Sequence, residues 1–118
     1  MKKILMKKFM IEYYGGNDYH GMSKEEMGEM MQKWFAWLGT FKEQIVDHGG
    51  PLMDGREITT SGSVPITSEM WPAKGYFCIE VENMDDAIAI SQGCPTIVDN
   101  EENATMRVYE AMPMPQMS

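Results

Sequence analysis

The chain has 118 residues, 43% of them hydrophobic, and a net charge of −8. That length allows one domain with a single core and excludes a second. The ten Lys and Arg residues form no cluster beyond the N-terminal head, so most of the surface would repel a phosphate backbone and we expect no nucleic-acid partner. The start lacks an apolar run of signal-peptide length, and no stretch could span a bilayer, which predicts a cytoplasmic chain without membrane association.

A strand is the first predicted element. The segment KKFMIEYY (7–14) alternates Phe9 and Ile11 with Met10 and Glu12, and this period of two is typical of a strand with two different faces. The run GGNDYHG then breaks the pattern.

A long helix is predicted next. Ser23 begins SKEE, in which Glu26 can complete a capping box. An apolar stripe at helical spacing follows: Met27, Met31, Trp34, Leu38, Phe41 and Ile45. We expect this stripe to be covered, and the helix to end at Gly49 and Gly50 before Pro51.

The signals are weaker between residues 51 and 74, where REITTSGSV is expected to form one strand and PITSEMWPAKG an irregular connection. The segment GYFCIEV then predicts a strand with Phe77 and Ile79 on one face. Asn83 is a suitable N-cap for a second helix, which Gly93 and Pro95 should end. The segment ATMRVYEAM (104–112) predicts the last strand.

The resulting element order is β-α-β-β-α-β. This order predicts an α+β fold of the ferredoxin-like kind, a four-stranded antiparallel sheet with both helices on one face. We expect a single domain over residues 7–114, with tails at 1–6 and 115–118.

The helices can cover only one side of such a sheet. The other side should carry aromatic residues with a few charges: Met10, Glu12, Tyr14, Tyr76, Cys78, Glu80, Arg107 and Tyr109. A patch of this kind usually marks an interface or a ligand cavity, and a symmetric dimer with sheets face to face, forming an α+β barrel, is the commonest solution. Arg107 could then pair with Glu12 or Glu80. The alternative is a half-solvated sheet face in a monomer.

The two cysteines, Cys78 and Cys94, are too far apart for a C-x-x-C redox motif and too few for a zinc site. We expect both to be free, buried and inert, and we expect no metal and no cofactor.

The passage KGYFCIEVENMDDAIAISQGCP followed by ATMRVYEAM resembles the YCII-related domain family, in particular its DGPF branch. The strand KFMIEYYGG and the tryptophan-containing helix that runs into GGPLMDG fit the front half, so the resemblance covers residues 7–114. It implies a ferredoxin-like protein that dimerises through its sheets. It also implies, from a few relatives, small aromatic-ring chemistry such as dehydrochlorination.

The sequence departs from that family at its motifs. The D-G-P-F position holds Ser63, Val64, Pro65 and Ile66, so only the proline is shared, and the following acid-threonine-lysine-acid run is replaced by Ser68, Glu69, Met70 and Trp71. The other branch of the family has a histidine early in helix 1, whereas this helix has none before His48. The resemblance therefore supplies no catalytic pair.

Two histidines are the catalytic candidates. His20, in the first loop, could be a general base or simply solvated, and His48 could be a base or could interact with the end of helix 1. Residues that could line a ligand pocket are Tyr14, Trp34, Asp54, Arg56 and Trp71. Asp54 and Arg56 could equally be an exposed turn pair, and Trp34 could belong to the core.

Three functions are compatible with these residues. The first is a homodimer with a pocket for a small organic, possibly aromatic, molecule and no assigned reaction. The second is a cofactor-free lyase or isomerase acting on a phenolic or aromatic substrate through His20 or His48. The third is an accessory or regulatory protein that docks another chain through a methionine-rich surface.

Overall fold

A computed structural model describes residues 5–17 and 21–113. Residue 114, the tail 115–118 and most of the tail 1–6 lie outside the described residues. The strands are β1 (Lys7–Tyr14), β2 (Ile45–Pro51), β3 (Arg56–Thr59), β4 (Gly62–Pro65), β5 (Gly75–Val81) and β6 (Thr105–Ala111). The helices are α1 (Lys24–Thr40), α2 (Met84–Gln92) and α3 (Pro95–Val98), with short 3-10 turns at Lys42–Gln44 and Ser68–Met70.

Four strands form one antiparallel sheet in the order β2-β5-β1-β6. In its register, Ile11 of β1 lies opposite Phe77 on one side and Val108 on the other. Both long helices contribute to the core on a single face of this sheet. The predicted α+β, ferredoxin-like arrangement is confirmed.

Both long helices begin as predicted. The Ser23 hydroxyl accepts the Glu26 N–H at 3.1 Å, and the Glu26 carboxylate accepts the Ser23 N–H at 3.4 Å, which satisfies two of the free donors at the start of α1. Asn83 Oδ1 accepts the Asp86 N–H at 2.9 Å at the start of α2.

The predicted end of helix 1 was wrong. α1 stops at Thr40, whose hydroxyl donates to the Trp37 carbonyl oxygen at 2.6 Å, and the chain then enters β2, where Ile45 pairs with Ile79. Gly49 is in the left-handed region (φ +54°) and has no room for a Cβ, which would collide with the Tyr76 carbonyl oxygen. The glycine expected to end a helix therefore permits an irregular strand to approach β5 closely.

The single strand expected in REITTSGSV was also wrong. β3 and β4 form a separate two-stranded hairpin in which Ile58 pairs with Ser63 and Glu57 with Val64. We call this hairpin and its turn, Arg56–Pro65, the arm.

The core lies between the sheet and the helices. Phe9, Ile11 and Ile79 are completely buried, and Trp37 packs edge-on against Phe77 with ring centroids 5.5 Å apart. The indole N–H of Trp37 donates to the Ile90 carbonyl oxygen at 3.0 Å, which ties α1 to α2. Within the described residues, no helix combines the length and apolar character needed to cross a membrane.

Candidate functional site

The second face of the sheet is the candidate site. We call it the open face; it carries Lys8, Met10, Glu12, Tyr14, Tyr76, Cys78, Glu80, Arg107 and Tyr109, which alternate with the core residues along β1, β5 and β6. All three described helices lie on the other side. Glu80 and Arg107 are exposed, as is 48% of Tyr109.

A cluster of three side chains is the most ordered feature of the open face. The Tyr14 hydroxyl donates to Glu12 Oε1 at 2.7 Å, and the Arg107 guanidinium lies over the Tyr14 ring, 4.5 Å from its centroid. Tyr14 is buried although it faces away from the core. Desolvation, followed by the bond to Glu12, raises the pKa of Tyr14, so its phenol stays a donor at neutral pH.

In a dimer with its sheets face to face, Arg107 could pair with Glu12 or Glu80, and that pairing stays a prediction for the dimer. Within one chain Arg107 lies directly across from Glu12 in the β1–β6 register, but its guanidinium rests on Tyr14 instead, and among the described residues no ion pair joins it to either carboxylate. The cation–π contact leaves the Arg107 donors available to another group.

The two cysteines lie apart. Cys78 is buried in the open face, where desolvation raises its pKa against the opposing effect of Lys8. Cys94 is fully buried on the helix side, 3.3 Å from the Thr96 hydroxyl, and its pKa is also raised by desolvation. Both are free, as predicted. Within the described ranges, His, Cys, Asp and Glu form no group of three that could hold a metal ion.

The five predicted pocket residues do not come together. Tyr14 is on the open face, whereas Trp34 is on the helix side, half-buried against Tyr13 with ring centroids 5.3 Å apart. Asp54, Arg56 and Trp71 lie in or beside the arm and are exposed.

The two histidines have different outcomes. His20 lies outside the described residues. The helix-end role considered for His48 was wrong, because His48 is an exposed residue of β2 with no helix terminus beside it.

The negative charge is concentrated away from the open face. Residues 82–106 include six acidic and no basic residues, and they belong to α2, α3 and the adjoining loops. The open face instead carries two cations, Lys8 and Arg107, against three carboxylates: Glu12, Glu80 and Asp47 of β2, which lies opposite Cys78.

Two shallow cavities lie on the helix side. The larger, about 490 Å³, has Phe41 and Ile90 in its wall and Glu82 and Asp86 among its polar lining. The smaller, about 300 Å³, lies between α2 and β6. Neither includes a residue of the open face.

The fold defines an α+β protein of ferredoxin-like topology in which no helix of the described residues covers one face of the sheet. No protein-family model matches the chain, and no curated protein is significantly similar to it in sequence.

The solved structures to which the chain is similar include two of low identity. One is 5-chloro-2-hydroxyhydroquinone dehydrochlorinase from Burkholderia phenoliruptrix AC1100, in complex with 2,5-dihydroxybenzoquinone, at 17% identity and a TM-score of 0.48, covering 85% of this chain and 90% of that one. The other is protein At3g17210 from Arabidopsis thaliana, at 14% identity and a TM-score of 0.43, covering 95% and 99%. At these scores the likeness transfers neither an activity nor a residue role.

Proposed function

We propose that the protein is a homodimer whose open faces meet and bind a small aromatic molecule between them. The observation that carries this proposal is the cluster of Tyr14, Glu12 and Arg107 on a sheet face that no helix of the described chain covers. An aromatic patch with a few charges is typical of an interface or a ligand site, and it is unusual as a plain solvent face.

The charge distribution supports contact through this face. Two chains of net charge −8 repel each other overall, but the acidic segment 82–106 lies with the helices. Each open face carries two cations and three carboxylates, a net charge of −1, so two such faces repel each other far less than two surfaces with the full charge of the chain would.

The cluster also favours a class of ligand. Glu12 Oε2 accepts no hydrogen bond within the described residues and can accept one from a ligand hydroxyl. Arg107 can bind an anionic group, and the rings of Tyr76 and Tyr109, on the two strands that flank β1, can contact an aromatic ring. A planar hydroxybenzoate combines these three features.

The test is calorimetric titration with 4-hydroxybenzoate. We expect wild-type protein to bind it and Arg107→Gln to bind it at least about tenfold more weakly, since a charge-assisted hydrogen bond is worth about 1.5–3 kcal/mol. Lys33→Gln, which removes an exposed cation of α1 on the helix side, should bind as wild type does. Absence of binding to wild type, or equal losses in the two variants, would contradict the proposed ligand site.

A further inference from the structure

The arm is uncovered on both of its sides. All ten residues from Arg56 to Pro65 are exposed. Ile58 and Val64 lie on opposite faces of the hairpin, because Ile58 pairs with Ser63 whereas Val64 pairs with Glu57. They are 79% and 50% exposed, so neither face of the hairpin is covered by the part of the chain that the structure describes.

A two-stranded hairpin without a packed face is only marginally stable in water. The arm is attached at its root, where the Ile66 N–H donates to the Gly55 carbonyl oxygen at 3.0 Å and the Leu52 N–H to that of Lys74 at 2.8 Å. Beyond that root only its own four-residue strands hold it. No described residue outside the arm covers it, so a partner that packs on it would stabilise its form.

The arm projects from the end of the sheet that carries the open-face cluster. Lys74, at the root, donates its N–H to the Tyr13 carbonyl oxygen at 2.7 Å, next to Tyr14. The radius of gyration, 16.6 Å, exceeds the roughly 13.5 Å of a compact chain of this length. A projecting arm beside the open face can reach a molecule that sits on that face.

The size and charge of the open face and the arm favour a second copy of this chain as the molecule that sits on that face. Four strands of about seven residues outline a flat footprint of roughly 19 by 24 Å, and a contact confined to it is at the small end of the roughly 1,200–2,000 Å² that stable specific interfaces bury. The arm can enlarge that contact. Its only charges, Arg56 and Glu57, cancel, which allows it to approach a second chain of the same negative charge.

We infer that the arm of each subunit packs against a second copy of this chain and extends the open-face interface. This inference rests on the proposed homodimer. It assigns to the arm a role in holding the partner, and to Ile58 and Val64 the apolar contacts that do so.

The test is photocrosslinking of the purified full-length chain with p-benzoylphenylalanine in place of Ile58. Phe35 is the matched control position, since it is an apolar residue of α1 with 62% of its surface exposed. We expect illumination to produce a covalent dimer from the position 58 protein and none from the position 35 protein. In a mixture of isotopically light and heavy chains, the crosslinked peptides should join one kind of chain to the other.

A second measurement tests the same inference without a crosslinker, in case the group at position 58 does not face the partner. Ile58→Lys combined with Val64→Lys should raise the dissociation constant of the dimer at least tenfold, and Phe35→Lys should leave it unchanged. If wild type is a dimer but position 58 gives no intersubunit crosslink and the double variant associates normally, the arm inference is wrong and the open-face dimer stands. If wild type is a monomer, both are wrong.

Discussion

The two faces of the sheet differ in how completely one chain can cover them. On the helix side, Phe9, Ile11 and Ile79 are fully buried, whereas on the open face the neighbouring positions hold exposed Glu80 and Tyr109. The first face is covered by helices of the same chain, and its burial stabilises the fold. The second has the composition of an interface and no layer from the described chain, so association and binding are to be sought there.

Replacing one residue on each face should separate these two roles most strongly. Phe77 contacts Trp37 and Phe41, so Phe77→Ala should lower the free energy of unfolding by about 3–5 kcal/mol through the cavity it leaves. Tyr76, the adjacent residue on the open face, is only half-buried. In urea titrations at the same low protein concentration, Tyr76→Ala should cost clearly less, and equal losses would show that the two faces are equally packed.

The edge strand β2 gives the next largest effect. Gly49→Ala should destabilise the chain by about 1–3 kcal/mol, because its φ is positive and the new Cβ would meet the Tyr76 carbonyl oxygen. Gly39→Ala is the matched control: that glycine lies in α1 with open space around it, so alanine should stabilise by about 0.5–1 kcal/mol. Thermal unfolding would reveal both signs, and a harmless Gly49→Ala would contradict the close approach of β2 to β5.

Alkaline pH should lower the free energy of unfolding by a smaller amount, through one buried thiol on each face of the sheet. Burial raises the pKa of Cys94 on the helix side and of Cys78 on the open face. The unfolded thiols ionise first, near pH 8.5, so the folded state retains more protons above that pH. The contribution of these thiols is constant at lower pH, and the stability then falls as the pH rises.

In the double variant Cys78→Ala with Cys94→Ala, the free energy of unfolding should fall less steeply as the pH rises above about 8. The two single variants would show how much of that fall each thiol causes. Chemical denaturation at a series of pH values measures the slope. An unchanged slope in the double variant would mean that other groups cause the alkaline loss.

The smallest effect is expected on the outer surface of the helix layer. Lys33 of α1 and Asp99 form an ion pair at 2.9 Å, with both side chains largely exposed. Lys33→Ala should leave the free energy of unfolding within experimental scatter, because water and salt screen such pairs. A loss similar to that of Gly49→Ala would show that this pair anchors α1 to the end of α3.

The sequence predicts the sheet faces well and the middle of the chain poorly. Alternation along β1, β5 and β6 depends on local spacing, so Phe9 and Glu12 could be assigned to opposite faces without a structure. The strand β2 was not predicted, because the spacing of Ile45 continues the apolar stripe of the helix. In the structure Ile45 pairs with Ile79 of β5. The arm was not predicted because both of its strands are exposed and so carry no clear hydrophobic period.

The candidate site was predictable as a surface but not as an arrangement. Glu12, Tyr14 and Arg107 were all expected on one face, yet their contacts depend on the β1–β6 register that places Glu12 opposite Arg107. Register is a long-range property that one strand's sequence does not encode. A Gly-containing turn signal at Ser61 and Gly62 could have indicated the arm.

Sedimentation equilibrium tests the central claim, that the open face is covered by a second copy, most directly. We predict a mass twice the 13.5 kDa of the chain for wild type, a shift toward the monomer for Tyr109→Lys on the open face, and no shift for Phe35→Lys on α1. A wild-type mass equal to one chain at every concentration, or a dimer indifferent to Tyr109→Lys, would contradict it.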